Sequence, residues 1–131
     1  MPPEVLLQRA RTAADRAYAP YSKFKVGAAL LTASGNVVLG CNLENASYGM
    51  TVCAERNAVA SMVVMGHLDP VAIAVVGGRS GTPCPPCGAC RQVLAEFNPD
   101  MLVVLESPNQ AIVMTANELL PLSFSLKHGH P

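Results

Sequence analysis

The chain has 131 residues, with nine basic and nine acidic side chains and no net charge. This length fits one compact domain, and the lack of any Lys/Arg block argues against a DNA or RNA partner. Half of the residues are hydrophobic and 14% are charged, which indicates either self-association or a large core. The start lacks the features of a signal peptide, and no segment reaches the roughly 18 apolar residues of a membrane span. We therefore expect a soluble cytoplasmic protein.

Helical and strand patterns alternate along the chain. In chain order they predict a helix over 3–17, strands over 26–32 and 37–41, a helix over 53–65, a strand over 71–76, a helix over 87–97, strands over 101–105 and 111–114, and a last helix from Thr115 to Leu120. Ser34-Gly35-Asn36 is a hairpin turn signal, and the continuous apolar run over 71–76 is typical of a strand covered on both faces. The order predicts an α/β fold, a single three-layer α/β/α domain over 1–131, with 125–131 as a frayed tail. In that tail we expect His128 and His130 to be inert.

The cysteines are odd in number, and three of them fall within seven residues: Cys41, Cys53, Cys84, Cys87 and Cys90. In a cytoplasmic chain such a cluster indicates metal or redox chemistry before disulfides. With Pro86 at the first helical position, Cys87 and Cys90 lie one turn apart on one face, where the helix dipole favours thiolates. Cys84-Pro85-Pro86-Cys87 is a competing C-x-x-C, but its prolines keep it extended. We therefore pair Cys87 with Cys90, leave Cys84 as a loop thiol, and interpret Cys41 as an apolar strand-end residue.

A catalytic zinc needs three protein ligands and one open position. Cys53 begins another helix, where the same dipole argument applies, and we expect it to be the third ligand. Glu55 alone could be a partner of the helix dipole, but beside the metal it is a candidate proton carrier. Cys53-x-Glu55 with Pro86-Cys87-x-x-Cys90 is the three-cysteine form of the zinc deaminase signature.

The net charge of the expected zinc site makes the arginines next to it candidates for a functional role. Zinc with three thiolates carries a net charge of −1 and should be a poor Lewis acid, so a cation that donates to the sulfurs would withdraw the excess. We expect Arg56 to tune the zinc charge in this way. For Arg91, a solvated helix arginine is an equally good interpretation.

Four segments, in order, resemble the small, homotetrameric type of cytidine deaminase, and the match runs from about Tyr18 to Phe124. The segments are APYSKFKVGA at 19–28, GCNLENASYG at 40–49, TVCAER at 51–56 and PCGACRQ at 86–92, with Leu119-Leu120-Pro121 ahead of Phe124. The resemblance implies a mixed five-stranded sheet between helices and a homotetramer with shared active sites. It also implies zinc-dependent hydrolysis of cytidine and deoxycytidine to the uracil nucleosides and ammonia, in pyrimidine salvage.

The resemblance also assigns roles to individual residues. One zinc ion per subunit would be held by Cys53, Cys87 and Cys90, and Glu55 would shuttle protons from the activated water to N3 of the base and to the leaving amino group. Further residues would contact the substrate: Asn42 and Glu44 at the ribose hydroxyls, Phe24 on the pyrimidine, Ala54, and Ala46, Tyr48 and Phe124 from neighbouring subunits. Without the resemblance, Asn42 and Glu44 are ordinary loop residues and Phe24 is a core residue. Cys84 is not part of the family motif.

Three other functions remain open at this stage. A deaminase of a cytosine-containing antibiotic such as blasticidin S would share the zinc motifs, although the Asn42/Glu44 pair favours a nucleoside substrate. A structural zinc module would need a fourth ligand, conceivably Cys84, and would leave Glu55 without a purpose. A thiol redox protein would use Cys84 and Cys87 and leave Cys53 and Cys90 unexplained.

Overall fold

The computed structural model describes residues 1–127, within which four α-helices, five strands and one short 3-10 helix form. The elements are α1 (Pro3–Ala14), β1 (Val26–Thr32), β2 (Val37–Cys41), α2 (Ala54–Val64), β3 (Pro70–Gly77), α3 (Gly88–Phe97), β4 (Leu102–Leu105), β5 (Ile112–Thr115) and α4 (Ala116–Leu119). The predicted order of elements is confirmed, and the loop predicted over 42–51 also contains the 3-10 turn Tyr48–Met50. His128 and His130 lie outside the described residues. Within 1–127, no helix is long and apolar enough to cross a lipid bilayer.

The five strands form one mixed sheet in the order β2-β1-β3-β4-β5. β1 pairs antiparallel with both β2 and β3, β3 pairs parallel with β4, and β4 pairs antiparallel with β5. β3 and β4 pair directly in parallel, and α3 forms the crossover that joins them. The carboxyl end of β3 and the start of α3 therefore belong to one connection, which carries three of the cysteines.

Helices cover both faces of the sheet, which confirms the three-layer α/β fold. On one face, α1 packs Leu6, Ala10 and Ala14 against alanines and valines of β1, β3 and β4. On the other face, α2 and α3 contribute Met62 and Leu94 to a second apolar cluster. β3 supplies both clusters, because its side chains alternate: Ala72, Ala74 and Val76 face α1, and Ile73 and Val75 face the other layer. This is why its sequence is a continuous apolar run.

Gly40 allows the backbone of α2 to approach β2 closely. A Cβ atom at Gly40 would lie 2.4 Å from the carbonyl oxygen of Ala54 and 2.5 Å from the amide nitrogen of Ala58. Any side chain at this position would therefore push the first turn of α2 off the sheet. The glycine thus helps to place the start of α2, where Cys53 and Glu55 lie.

The helix starts differ from the prediction by one residue. Cys53 and Cys87 are both N-caps, in extended conformation, and their helices begin at Ala54 and Gly88. The expectation that Pro86 occupies the first helical position is therefore wrong: Pro86 precedes the N-cap, is buried, and accepts a hydrogen bond of 2.7 Å at its carbonyl from Arg91 Nε. The dipole argument is confirmed for Cys87, whose pKa is lowered by backbone N–H groups of the first turn. It is wrong for Cys90, because burial raises the pKa of that thiol.

Candidate metal centre and active site

Three cysteine sulfurs converge where α2 and α3 begin. The Sγ atoms of Cys53, Cys87 and Cys90 all lie within 4.8 Å of one another. Zinc–sulfur bonds of about 2.3 Å in a tetrahedron place sulfurs about 3.8 Å apart, so only small movements would bring these three onto one ion. Cys90 is buried, Cys53 is half-buried and Cys87 is exposed, and none of the three is in a disulfide. A fourth ligand position would thus open on the side of Cys87, toward solvent.

The ionisation of the thiols fits a site for a cation. Backbone N–H groups, that of Cys90 first and that of Ala89 also, lower the pKa of Cys87. Burial and the nearby Glu55 carboxylate raise the pKa of Cys90. A thiolate at Cys90, which is buried beside Glu55, is therefore favoured by a compensating positive charge. Zinc, which prefers thiolate sulfur, suits this set of donors.

Glu55 projects into this cluster from the first turn of α2. It is only 4% exposed, and burial raises the pKa of its carboxyl group, which lies within hydrogen-bonding reach of the Cys90 thiol. A residue that served only as a partner of the helix dipole would remain in solvent. The combination of burial and a raised pKa is typical of a group that takes up and releases protons at neutral pH.

The two arginines that follow site residues have different surroundings. Arg56 Nη2 donates to Cys53 Sγ across 3.6 Å, and its buried Nε has no hydrogen-bond partner within residues 1–127. Arg91 turns away from the sulfurs and donates to the carbonyl oxygens of Pro86, at 2.7 Å, and Leu119, at 2.9 Å. Arg56 is thus in place to withdraw charge from a thiolate, whereas Arg91 ties the start of α3 to the end of α4.

Asn42 and Glu44 organise the segment that connects α1 with β1. The Asn42 side chain accepts from the amide of Val26 and donates to the carbonyl of Phe24, each across 2.9 Å. Glu44 accepts from the amides of Tyr21 and Ser22, at 3.0 and 3.1 Å, and from the Ser22 hydroxyl. The Ser22 hydroxyl and amide are the main reason that the pKa of Glu44 lies below its usual value. Both side chains therefore shape this segment, whatever they bind in addition.

Phe24 lies on two glycines at the carboxyl end of β3. A Cβ atom at Gly77 would be 3.1 Å from Phe24 Cε2 and 2.7 Å from Cys84 Sγ, and one at Gly78 would be 2.7 Å from Phe24 Cε1. The ring is 47% exposed, so Phe24 is not the core residue that its composition alone suggests. Burial, and after it the charge of the Glu55 carboxylate, raises the pKa of Cys84, whose sulfur lies against the same glycine support. The sequence analysis missed Gly77 and Gly78, although a glycine pair after a buried strand signals a close approach.

The other residues expected to contact substrate divide into one buried and three exposed positions. Ala54 is fully buried in the first turn of α2, so neither its side chain nor its backbone is open to solvent in the single chain. Ala46, Tyr48 and Phe124 are exposed, Tyr48 by 80% and Phe124 by 64%. Tyr48 borders a cavity of about 370 Å³ together with Tyr21, Ser22 and Glu44. The Phe124 carbonyl accepts a hydrogen bond of 2.9 Å from Gln92 of α3.

This chain is similar to known deaminases. The family described as "Cytidine and deoxycytidylate deaminase zinc-binding region" matches residues 2–106. A cytidine deaminase from Halalkalibacterium halodurans is 50% identical over 124 residues, which cover 93% of each chain. The crystal structure of cytidine deaminase from Burkholderia pseudomallei has a TM-score of 0.88 and 49% identity, over 95% of this chain and 100% of that one. A blasticidin-S deaminase from Bacillus cereus is 32% identical over 111 residues, 79% of each chain. By the extent of these matches and by its three converging cysteines, this chain belongs to the zinc-binding cytidine and deoxycytidylate deaminase family.

Proposed function

We propose that this chain hydrolyses cytidine and deoxycytidine to uridine and deoxyuridine and releases ammonia, with one zinc ion held by Cys53, Cys87 and Cys90. The observation that carries the proposal is the buried carboxylate of Glu55 beside three converging sulfurs. A structural zinc site would be closed by a fourth ligand, and within residues 1–127 no further His, Cys, Asp or Glu joins this cluster. The five unpaired thiols suit a cytoplasmic enzyme of pyrimidine salvage.

The residues around the cluster divide the chemistry between them. Zinc, when bound, supplies the Lewis acidity that activates water near neutral pH. Glu55 accepts a proton from the attacking water and delivers it to N3 of the base, which makes C4 electrophilic. Glu55 then takes the remaining proton from the hydroxyl group added at C4 and carries it to the amino group, and ammonia leaves as the C4 carbonyl forms. Each cycle consumes one water and releases one ammonia. Because Glu55 gives up every proton that it accepts, it ends the cycle in its starting protonation state.

The residues around the Phe24 segment would hold the nucleoside. In this proposal Phe24 packs on the pyrimidine, Ala54 contacts the substrate from the first turn of α2, and Asn42 and Glu44 bind the ribose hydroxyls. Both polar side chains are already oriented by hydrogen bonds to the backbone, so little conformational freedom would be lost on binding. They can still bind a hydroxyl, because an amide or a carboxylate has more hydrogen-bonding capacity than these contacts use.

The proton-shuttle role is tested by Glu55→Ala. We expect this variant to keep one zinc per chain and to lose about 10²- to 10⁴-fold in kcat, the usual contribution of a general acid–base group. Ammonia release from cytidine and zinc content are measured on the same preparation. Glu4→Ala, which removes an exposed carboxylate of α1, is the control and should behave as the wild type. A Glu55→Ala protein that deaminates cytidine at the wild-type rate would refute the mechanism.

Deamination of an antibiotic such as blasticidin S is the second candidate. The similarity to a blasticidin-S deaminase supports it at 32% identity, whereas a cytidine deaminase is 50% identical over more of the chain. Comparison of kcat/KM for cytidine and for blasticidin S decides between the two. We expect cytidine to be the better substrate, and a higher kcat/KM for blasticidin S would reverse the assignment.

We also propose that the protein is a homotetramer whose subunits share active sites. Several apolar side chains are strongly exposed in the single chain, among them Val64 at 88%, Tyr48 at 80% and Phe124 at 64%, and contiguous exposed apolar surface favours association. In this arrangement Ala46, Tyr48 and Phe124 complete the site of a neighbour. Light scattering should give four times the mass of the chain.

Subunit mixing tests the sharing directly. Glu55→Ala and Phe124→Ala should each lower the deaminase activity of the homotetramer. When the two variants are unfolded together and reassembled, some sites regain both wild-type residues from different subunits, and activity should rise above that of either variant. Activity that never exceeds the average of the two would show that each site is built from one chain.

A further inference from the structure

Gly77 and Gly78, the two glycines that support the Phe24 ring, are held in place by a contact from the opposite face of the sheet. The Phe24 ring lies against Gly77 and Gly78, which have no side chains to hold them. Gly78 has a φ of +64°, so its backbone adopts a left-handed conformation that depends on its neighbours. What anchors the Gly78 peptide therefore determines where the ring can lie.

Two hydrogen bonds anchor Gly78. Its amide donates to the carbonyl of Lys25 across 3.3 Å, and its carbonyl accepts from Arg11 Nη1 across 3.0 Å. The first bond continues the pairing of β1 with β3. The second comes from α1, which packs on the sheet face opposite α2 and α3. A side chain on the far face therefore bonds directly to the peptide that supports Phe24.

Arg11 is itself fixed by an acidic partner. Its Nη2 pairs with Glu106 Oε1, and the same oxygen accepts from the amide of Gly81 across 3.3 Å. The two side chains are only 30% and 16% exposed, and the Nε of Arg11 is buried with no hydrogen-bond partner within residues 1–127. Arg11 and Glu106 thus hold both ends of the segment 78–81, which leads from β3 toward the cysteine loop.

We propose that Arg11 and Glu106 are positioning residues for the base pocket: they fix the segment 78–81 and, through Gly78, the depth at which the Phe24 ring meets the substrate. This inference rests on the proposed function in one respect, namely that Phe24 packs on the pyrimidine. Neither residue touches the reacting atoms, because both act through the backbone of the segment.

A purely structural Arg11–Glu106 pair would affect mainly the stability of the protein, whereas a positioning pair would affect mainly substrate binding. A partly buried ion pair contributes little net stability, because desolvation offsets its attraction. The contacts of this pair are directed to the carbonyl of Gly78 and the amide of Gly81, so its loss should free that segment and leave both apolar clusters intact. We therefore expect altered substrate binding with unaltered zinc content.

Arg11→Ala is the main test, and Arg9→Ala is its matched control on an exposed part of the same helix. We expect Arg11→Ala to raise KM for cytidine roughly three- to tenfold, within the about 2- to 30-fold range of remote coupling effects, with kcat and zinc content near wild type. Arg11→Lys, which can reach only one of its two partners, should recover part of the loss. Equal KM values for Arg11→Ala and Arg9→Ala would overturn the proposal.

A fluorescence measurement tests the same point without any turnover. The chain has three tyrosines and no tryptophan, so Phe24→Trp places one indole, which can be excited selectively, on the glycine support. Adding Arg11→Ala, or Glu106→Gln if that protein fails to fold, should move the emission to longer wavelength as the ring becomes more exposed, whereas adding Arg9→Ala should not. Unchanged emission would overturn the inference. A shift in these variants, together with a wild-type protein that does not deaminate cytidine, would refute the proposed function and leave the positioning role intact.

Discussion

Replacing Arg56 by alanine removes the cation that contacts a proposed zinc ligand. Arg56 Nη2 lies 3.6 Å from Cys53 Sγ, and two unit charges at that distance attract by about 1 kcal/mol in water and about 5 kcal/mol at an effective dielectric of about 20. Because Arg56 is only half-buried, solvent screening favours the lower part of this interval. Loss of an outer partner of a metal ligand typically costs about 10- to 100-fold in metal affinity, equivalent to about 1.4–2.7 kcal/mol. We therefore predict that Arg56→Ala weakens zinc binding by that factor.

The assay is a competition titration of zinc between the protein and a chromophoric chelator at fixed ionic strength. Arg56→Lys retains the positive charge but not the planar guanidinium, and it should fall between the wild type and Arg56→Ala. Deamination at saturating zinc then separates a loss of metal from a loss of metal reactivity. If Arg56→Ala binds zinc as tightly as the wild type and deaminates cytidine at the same rate, the charge-tuning argument is wrong.

Two further predictions concern the loop thiol and the Glu44 carboxylate. Cys84→Ser should retain one zinc per chain, whereas Cys87→Ser should not, since Cys84 lies outside the sulfur cluster. Metal analysis of the two proteins decides which thiol is a ligand, and equal zinc loss would show that Cys84 is one. Hydrogen bonds from Ser22 lower the pKa of Glu44 below its ordinary 4.5, so the stability they add is fully present above pH 4.5 and is lost as the pH falls through the folded-state value. The difference in Tm between wild type and Glu44→Gln should therefore be constant near neutral pH and shrink in acid, and a difference that does not change with pH would contradict this.

The elements of the fold could be predicted because their sequence patterns reflect simple local physics. β3 was evident because a strand covered on both faces needs apolar residues at every position, and its alternation between two clusters explains why. The last helix was predicted to begin at Thr115, and the Thr115 hydroxyl and Glu118 form a capping box at the start of α4. The one-residue error at α3 arose because Pro86 suits the first helical position, whereas the cap itself falls on Cys87.

The candidate site was less accessible to sequence reasoning, because its parts come from distant elements. The proximity of Cys53 to Cys87 followed from the ligand count that zinc requires and not from a spacing of 34 residues. No local pattern indicates that Asn42 and Glu44 bond to the backbone of the Phe24 segment, or that Arg91 turns toward Leu119. Arg11 and Glu106 are 95 residues apart in sequence, and only the folded chain brings this pair to the backbone of Gly78.

The central claim is that one metal ion on three sulfurs works together with the buried Glu55. Zinc content and ammonia release from cytidine, measured on the same sample as zinc is removed by a chelator and then restored, test it most directly. We predict one zinc per chain in the active protein, loss of ammonia release in proportion to zinc removed, and recovery when zinc is returned. A zinc-free preparation that still releases ammonia at the original rate would contradict the account.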